Sequence, residues 1–324
     1  MHITSAHGSG GEETSRLISE IFSKSLGNKY LSCAEDSGII DLSGKLAYST
    51  DSFVVTPLFF PGGDIGSLSI CGTANDIVMM GAVPKFMTLG VIIEEGMDFK
   101  TLEKIAQSIG DWAKLAGVSI VAADTKVVEG NGGIYLNTSG IGIIPEGRET
   151  RAAGCRPGDA IIVSGALGNH HACILSARMG IDNNIKSDMC LLKEPVCALF
   201  EHHITPHAMR DITRGGFATV INELTAVSGT GAIIEKELIP VDEDTRALTQ
   251  LLGLDPLYMG NEGTFLLIVP PEQTEAALSV LKTFRGSAAQ IGQITDTGKC
   301  AVRTPFGGMH ALPPLRGEGL PRIC

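Results

Sequence analysis

Residues 49–84 read STDSFVVTPLFFPGGDIGSLSICGTANDIVMMGAVP, and the change of period within this stretch decides the fold class. Its first residues belong to a run rich in β-formers, which predicts a strand over 45–55 with Asp51 set inside it. Across 66–80 the side chains are mostly small or apolar, which predicts a buried helix closed by Gly81 and Pro84. A further strand is expected over 86–93. Strand, buried helix and strand together predict a mixed α and β protein.

The same alternation extends outward. An amphipathic helix over 12–26 puts Leu17, Ile18, Ile21 and Phe22 on one face and follows the glycines Gly8, Gly10 and Gly11. A second amphipathic helix spans 101–116, with Gly117 as its C′ residue. The strand expected over 118–123 delivers Asp124 at its end, and another covers 135–144. Charge, glycine and proline break the pattern over 148–159, which sets a boundary between domains 1–150 and 151–309. The second half promises strands over 160–164, 265–269 and 288–294, and helices over 215–228 and 272–284. Beyond Pro305 the chain turns irregular, so 310–324 is expected as a flexible tail carrying Cys324, with a reach of roughly 45–50 Å at about 3.3–3.6 Å per residue.

Bulk composition narrows the class. At 324 residues, 44% apolar and 19% charged, the chain is globular and long enough for two domains. A net charge of −11 argues against nucleic acid as a partner. No stretch is long and apolar enough for a membrane span, and the first residues lack the pattern of a signal peptide. Eight widely spaced cysteines without a C-x-x-C fit reduced thiols, so a cytoplasmic protein is expected.

Acids recur in small, polar surroundings: Glu35-Asp36-Ser37-Gly38, Asp51 in 49–52, Asn75-Asp76, Asp124-Thr125-Lys126 and Asp211 in 211–216. For any single one, capping or turn chemistry is the ordinary reading. Acids in a strand or a buried helix are costly unless compensated, and magnesium bridging to phosphates compensates them; four such groups in the first half favour a metal–nucleotide site. Neither a P-loop nor a G-x-G-x-x-G is present. The histidine pairs His170-His171 and His203/His207 are read as surface or turn residues.

The segments HGSGG (7–11), STDSFVV with PLFFPGGDIG (49–66), ICGTANDIVMMGAVP (70–84), ADTKVV (123–128), DITRGG (211–216) and GNEG (260–263) occur in an order that resembles one superfamily. It includes aminoimidazole ribonucleotide synthetase, selenophosphate synthetase and thiamine-phosphate kinase. The terminal PRIC (321–324) narrows the resemblance to the HypE family of hydrogenase maturation factors.

The resemblance implies an α+β, two-domain PurM-like fold. Its mixed-sheet N-terminal domain forms a dimeric β-barrel-like core, beside an α/β C-terminal domain. It also implies ATP and Mg²⁺ as cofactors, and ATP-dependent dehydration of an S-carboxamide on Cys324 to a thiocyanate, the source of the cyanide ligands of [NiFe]-hydrogenase. The implied partners are a second copy of the chain, the carbamoyltransferase HypF and a HypC–HypD complex. Asp36, Asp51, Asp76 and Asp124 match the metal-holding acids. Gly8, Gly10, Gly11 and Asn75 go with the nucleotide, and Lys126 and Glu262 match residues that deprotonate the carboxamide. Glu262 is the better base, because a lysine of ordinary pKa, about 10.4, is protonated at neutral pH. Asp211 and Arg214 are expected to wall the substrate tail. Two alternatives stay open: another ATP-dependent enzyme of the superfamily, and a non-catalytic carrier of a modified terminal cysteine.

Overall fold

A helical stretch opens the chain: α1 (Glu12–Leu17) continues through a wide-turned segment (Ile18–Ser23) into α2 (Lys24–Leu26), and buries Leu17, Ile21, Phe22 and Leu26. The structure, a computed structural model, describes residues 2–33 and 37–316; Asp36 and Cys324 lie outside the described residues. Strand β1 (Lys45–Phe53) precedes a small hairpin, β2 (Phe59–Phe60) and β3 (Gly63–Asp64). Asp64 then caps α3 (Ile65–Met79), its carboxylate accepting the N–H groups of Gly66 at 2.7 Å and Ser67 at 3.0 Å. β4 (Val83–Glu94), α4 (Phe99–Ala116), β5 (Ser119–Val128) and β6 (Ile134–Ile144) complete the first domain. Gly117 ends α4 in the left-handed region at φ 70°.

The four long strands form a mixed sheet in the order β1-β6-β4-β5, antiparallel except for the pair β4 and β5. One boundary differs from expectation. β5 does not end before Asp124 but runs through it to Val128, because β4 offers a partner as far as Glu94. Asp124 therefore sits mid-strand.

The second domain consists of β7 (Ala160–Val163), α5 (Asn169–Met179), α6 (Lys193–Glu201), β8 (Ala208–Asp211), α7 (Gly216–Ser228), β9 (Gly231–Glu235), α8 (Glu243–Leu252), β10 (Phe265–Val269), α9 (Thr274–Phe284), β11 (Ala289–Thr295), β12 (Cys300–Arg303) and β13 (Met309–Ala311). Its sheet runs β13-β12-β9-β11-β7-β10-β8, with β12 and β9 the one parallel pair within this sheet among the described residues. β7 and β10 are buried on both faces, which is why AIIV and FLLIV are apolar without alternation. The two-domain α+β architecture is thus as expected.

Helix α3 joins the domains. Every residue of α3 is buried except the half-buried Asp76. Val78 and Met79 pack with Ile162, Phe265 and Leu267 of the second domain. In return, Ala172, Cys173 and Ile174 of α5 enter the core of the first.

Two further expectations are corrected. His170 and His171 are not surface residues: Gly168, at φ 91°, turns the chain into α5 and both rings are buried. His170 Nδ1 shares a 2.7 Å hydrogen bond with Ser187 Oγ, and burial lowers His171 to about 4. His203 does lie in an exposed turn, at φ 60°. The tail, secondly, is not free from His310. β13 pairs with β12, covering an otherwise open sheet edge, and Leu312 fills the core beside α7. Asn222 Nδ2 donates to the Leu312 carbonyl at 2.8 Å, Tyr258 Oη to the Pro313 carbonyl at 3.0 Å, and the Leu315 N–H to Thr219 Oγ1 at 3.2 Å.

Candidate active site at the domain seam

Four acids from both domains gather where α3 meets β8 and β10. Asp51 stands on β1 and Asp76 on α3, where Ser49 Oγ donates to Asp76 Oδ2 at 2.6 Å. Gly72 lets the helix come this close: a Cβ there would lie 2.8 Å from the Phe53 ring and 3.7 Å from Asp51 Oδ2. Asp211 ends β8, and Glu262 lies in the loop leading to β10. Both are buried. Arg210 and Arg214 flank them, and Arg214 precedes Gly215 and Gly216, both at positive φ, where the chain enters α7.

The acids carry more negative charge than their surroundings compensate. Burial and the neighbouring Asp76 push Asp51 up to about 6. Burial, then Asp76, takes Asp211 to about 7. Asp76 itself is raised chiefly by burial, against the Ser49 hydroxyl and the two arginines. Glu262 is raised well above the carboxylate range by burial and by Asp211.

Among the described residues no three His, Cys, Asp or Glu side chains form a complete metal cage. Mg²⁺ does not require one, since it keeps several waters and takes one or two carboxylates, with phosphates supplying the remainder. Asp51 and Asp76, polar and half-open beside buried acids of excess charge, fit that donor set.

These shifts carry a sign for stability. Asp211 is raised in the fold, so its contribution is present in full below about pH 4 and lost as pH rises through about 7. His171, lowered to about 4, acts oppositely and only below its ordinary value of about 6.5. Without nucleotide or divalent ions, the thermal midpoint is therefore expected to fall between about pH 6.5 and 8, and Asp211→Asn to flatten that fall, as read by calorimetry across this range.

The Glu262 loop is fastened on all sides. The Gly260 carbonyl accepts the His171 N–H at 3.2 Å, and the Asn261 N–H donates to the Ile212 carbonyl at 2.8 Å. Asn261 Oδ1 accepts the Gly168 N–H at 2.8 Å. Asn75 ties this loop to the stretch before α6. Its buried amide accepts the Leu192 N–H at 2.9 Å and donates to the Cys190 carbonyl at 2.9 Å and the Glu262 carbonyl at 3.5 Å. Sequence reasoning missed Asp188 beneath this loop, and Arg285 beside it, because the irregular stretch around Asp188 has no period to read.

Asp124 and Lys126 stand elsewhere in the same chain. Lys126 Nζ bonds both Asp124 oxygens, at 2.8 and 2.7 Å, and both side chains are exposed. Register shows the separation. Asp51 pairs across Thr138 and Leu89 to Ala123, whereas Asp124 pairs across Gly90 and Asn137 to Ser52. Asp51 and Asp124 thus lie on opposite faces of the sheet and on its two edge strands, about 14 Å apart at about 4.8 Å per strand. Gly8 packs against β5, where a Cβ would meet Val127 Cβ at 2.8 Å, and Gly11 caps α1. The expected site residues accordingly form two groups: Asp51, Asp76 and Glu262 at the seam, and Asp124, Lys126 and Gly8 at β5, with Gly10 and Gly11 leading into α1.

Residues 34–144 match the profile of the AIR synthase related protein N-terminal domain, and 156–304 that of its C-terminal domain. The fold and these matches define a two-domain PurM-like protein of the AIR synthase-related class. The chain is similar, at 41% identity over 332 residues, to the carbamoyl dehydratase HypE of Cupriavidus necator, across 99% of this chain and 95% of that one. A crystal structure of the hydrogenase maturation protein HypE in complex with ATP aligns at a TM-score of 0.95, with 41% identity over 99% of both chains. A chain of a crystallised HypE–HypF complex aligns at 0.81, with 39% identity over 92% of this chain and 99% of that one. Within the class, this chain belongs to the HypE family of carbamoyl dehydratases.

Proposed function

We propose that this protein is an ATP-dependent carbamoyl dehydratase acting on its own Cys324, converting an S-carboxamide to a thiocyanate that supplies cyanide for the [NiFe]-hydrogenase iron. The observation that carries the reading is the course of the chain after β13. From Leu312, bonded to Asn222, to Leu315, bonded to Thr219, it descends α7 toward the helix N-terminus, where Arg214 and Asp211 stand. Residues 317–324 remain beyond Arg316, and eight residues reach at most about 26–29 Å at about 3.3–3.6 Å each, short of the roughly 45–50 Å available to a tail free from 310. The described part of the tail thus heads toward the acid cluster.

Asp51 and Asp76 would hold Mg-ATP, which supplies charge neutralisation at the transferring phosphoryl. Phosphorylation of the carboxamide oxygen makes a good leaving group where hydroxide would be a poor one. Two protons leave the carboxamide nitrogen: Glu262, its proton affinity raised by burial and by Asp211, would take one as the imidate forms, and the departing phosphate would carry off the other. Loss of phosphate leaves Cys-S-C≡N. Lys126, a cation paired to Asp124, suits charge stabilisation better than proton abstraction.

A homodimer reconciles the two groups of site residues. Tyr48, Leu46 and Ile92 are exposed on the outer face of the first sheet, the face that also carries Asp124 and Lys126. Packing this face on a second copy buries it and brings Asp124 and Lys126 toward the partner. HypF is the proposed source of the carbamoyl group, a HypC–HypD complex the cyanide acceptor, and the cytoplasm the setting, in keeping with the free thiols at Cys71, Cys155, Cys173, Cys190, Cys197 and Cys300. Cys324→Ala should remove every carbamoyl and nitrile adduct while ATP binding persists. Adducts found at another cysteine of that variant would refute the assignment.

A further inference from the structure

Asp188 takes no part in the chemistry above, yet it holds the residue assigned as base. It lies in the irregular stretch between α5 and α6 and is 6% exposed. Its carboxylate accepts three hydrogen bonds, all from consecutive residues of the loop that carries Glu262. These are the Glu262 N–H at 3.1 Å, the Gly263 N–H at 3.1 Å and the Thr264 hydroxyl at 2.9 Å. The approach is so close that only glycine fits at 263, where a Cβ would lie 1.9 Å from the Asp188 carbonyl oxygen.

A cation beside the loop also fixes Asp188, through its backbone carbonyl. Arg285 Nη2 donates to the Asp188 carbonyl at 2.6 Å and to Cys190 Sγ at 3.0 Å. Burial raises the Asp188 carboxyl, while Arg285 and the two loop N–H groups draw it back down. The other fastenings hold Gly260 and Asn261 before Glu262, and the Gly263 and Thr264 carbonyls after it, which accept the Cys190 thiol at 3.7 Å and the Ile212 N–H at 3.0 Å; the Glu262 carbonyl itself meets Asn75 only at 3.5 Å. The peptide of Glu262 is therefore oriented mainly by Asp188, through charge-assisted bonds stronger than a neutral acceptor would make. Supporting groups of this kind, which touch neither substrate nor cofactor, set the accuracy with which a reacting side chain is held.

We infer that Asp188 is a positioning residue for the dehydration step, fixing the backbone of Glu262 so that its carboxyl stays directed into the seam beside Asp211. The inference rests on the reading of Glu262 as the base.

The test uses the full-length protein, carbamoylated on Cys324, and measures single-turnover dehydration and ATP affinity separately. Asp188→Asn replaces an acceptor-only carboxylate with an amide that cannot accept all three bonds. It is expected to slow dehydration about 10- to 100-fold with ATP affinity unchanged. Asp188→Asn combined with Glu262→Gln should be no slower than Glu262→Gln alone, because Asp188 acts only through Glu262. Wild-type dehydration in Asp188→Asn overturns the inference, as does a further loss in the double variant or a parallel loss of ATP binding. Normal dehydration in Glu262→Gln would instead remove the base assignment, a distinguishable failure. If Asp188→Asn does not fold, Thr264→Val, which removes one of the three bonds, is expected to slow the same step several-fold; a wild-type rate there overturns the inference equally.

Discussion

Glu262→Gln is expected to slow conversion of the carboxamide to the nitrile by about 10²–10⁴-fold, the range for loss of a general base, with ATP affinity unchanged. The substitution is isosteric and leaves the backbone N–H that Asp188 holds and the carbonyl near Asn75. It removes only the proposed proton acceptor. Burial beside Asp211, Asp188, Asp51 and Asp76 makes the Glu262 carboxylate more basic than a surface one. The same burial makes the uncharged amide tolerable, so the fold should survive. Quenched-flow measurement of the carboxamide and nitrile peptides would separate this step from ATP binding. Unchanged dehydration would remove Glu262 from the base role.

Mixing two inactive variants is expected to restore activity. Asp76→Asn disables the acid cluster at the seam, and Lys126→Ala the cation on the outer face of the sheet. Loss of a charge-stabilising group costs about 10²–10³-fold. If each site joins the seam acids of one subunit to Asp124 and Lys126 of the other, a mixed dimer holds one intact site. Random exchange makes half the dimers mixed, so roughly a quarter of the wild-type rate should return. The basis is the sheet register, which places Asp51 and Asp124 on opposite faces and opposite edges of one sheet. No recovery after verified subunit exchange would mean that both groups serve a site within one chain.

How far the sequence foretold this arrangement depended on the length of each pattern. The long apolar run of α3 made both its burial and the exceptional position of Asp76 legible, since a charge in a helix buried on every side has to be compensated. The apolar run over 118–123 shows only the first part of β5, because it stops before Asp124 and Lys126. Only the partner strand β4, remote in sequence, shows that pairing continues to Val128. His170 and His171 were misjudged because polarity hid a helix whose burial comes from Phe60 and Ser187, again distant in sequence. Glu262 was found through the GNEG motif. Asp188 was not, because its role is defined entirely by contacts across the fold.

The central claim is that Cys324 is dehydrated by the chain that carries it, and the mass of its C-terminal peptide tests this most directly. The protein, carbamoylated by a HypF-type transferase, is supplied with ATP and magnesium and its terminal peptide is weighed over time. The account predicts a carboxamide adduct that then loses one water on Cys324. A carboxamide that persists while ATP is bound and consumed would contradict it.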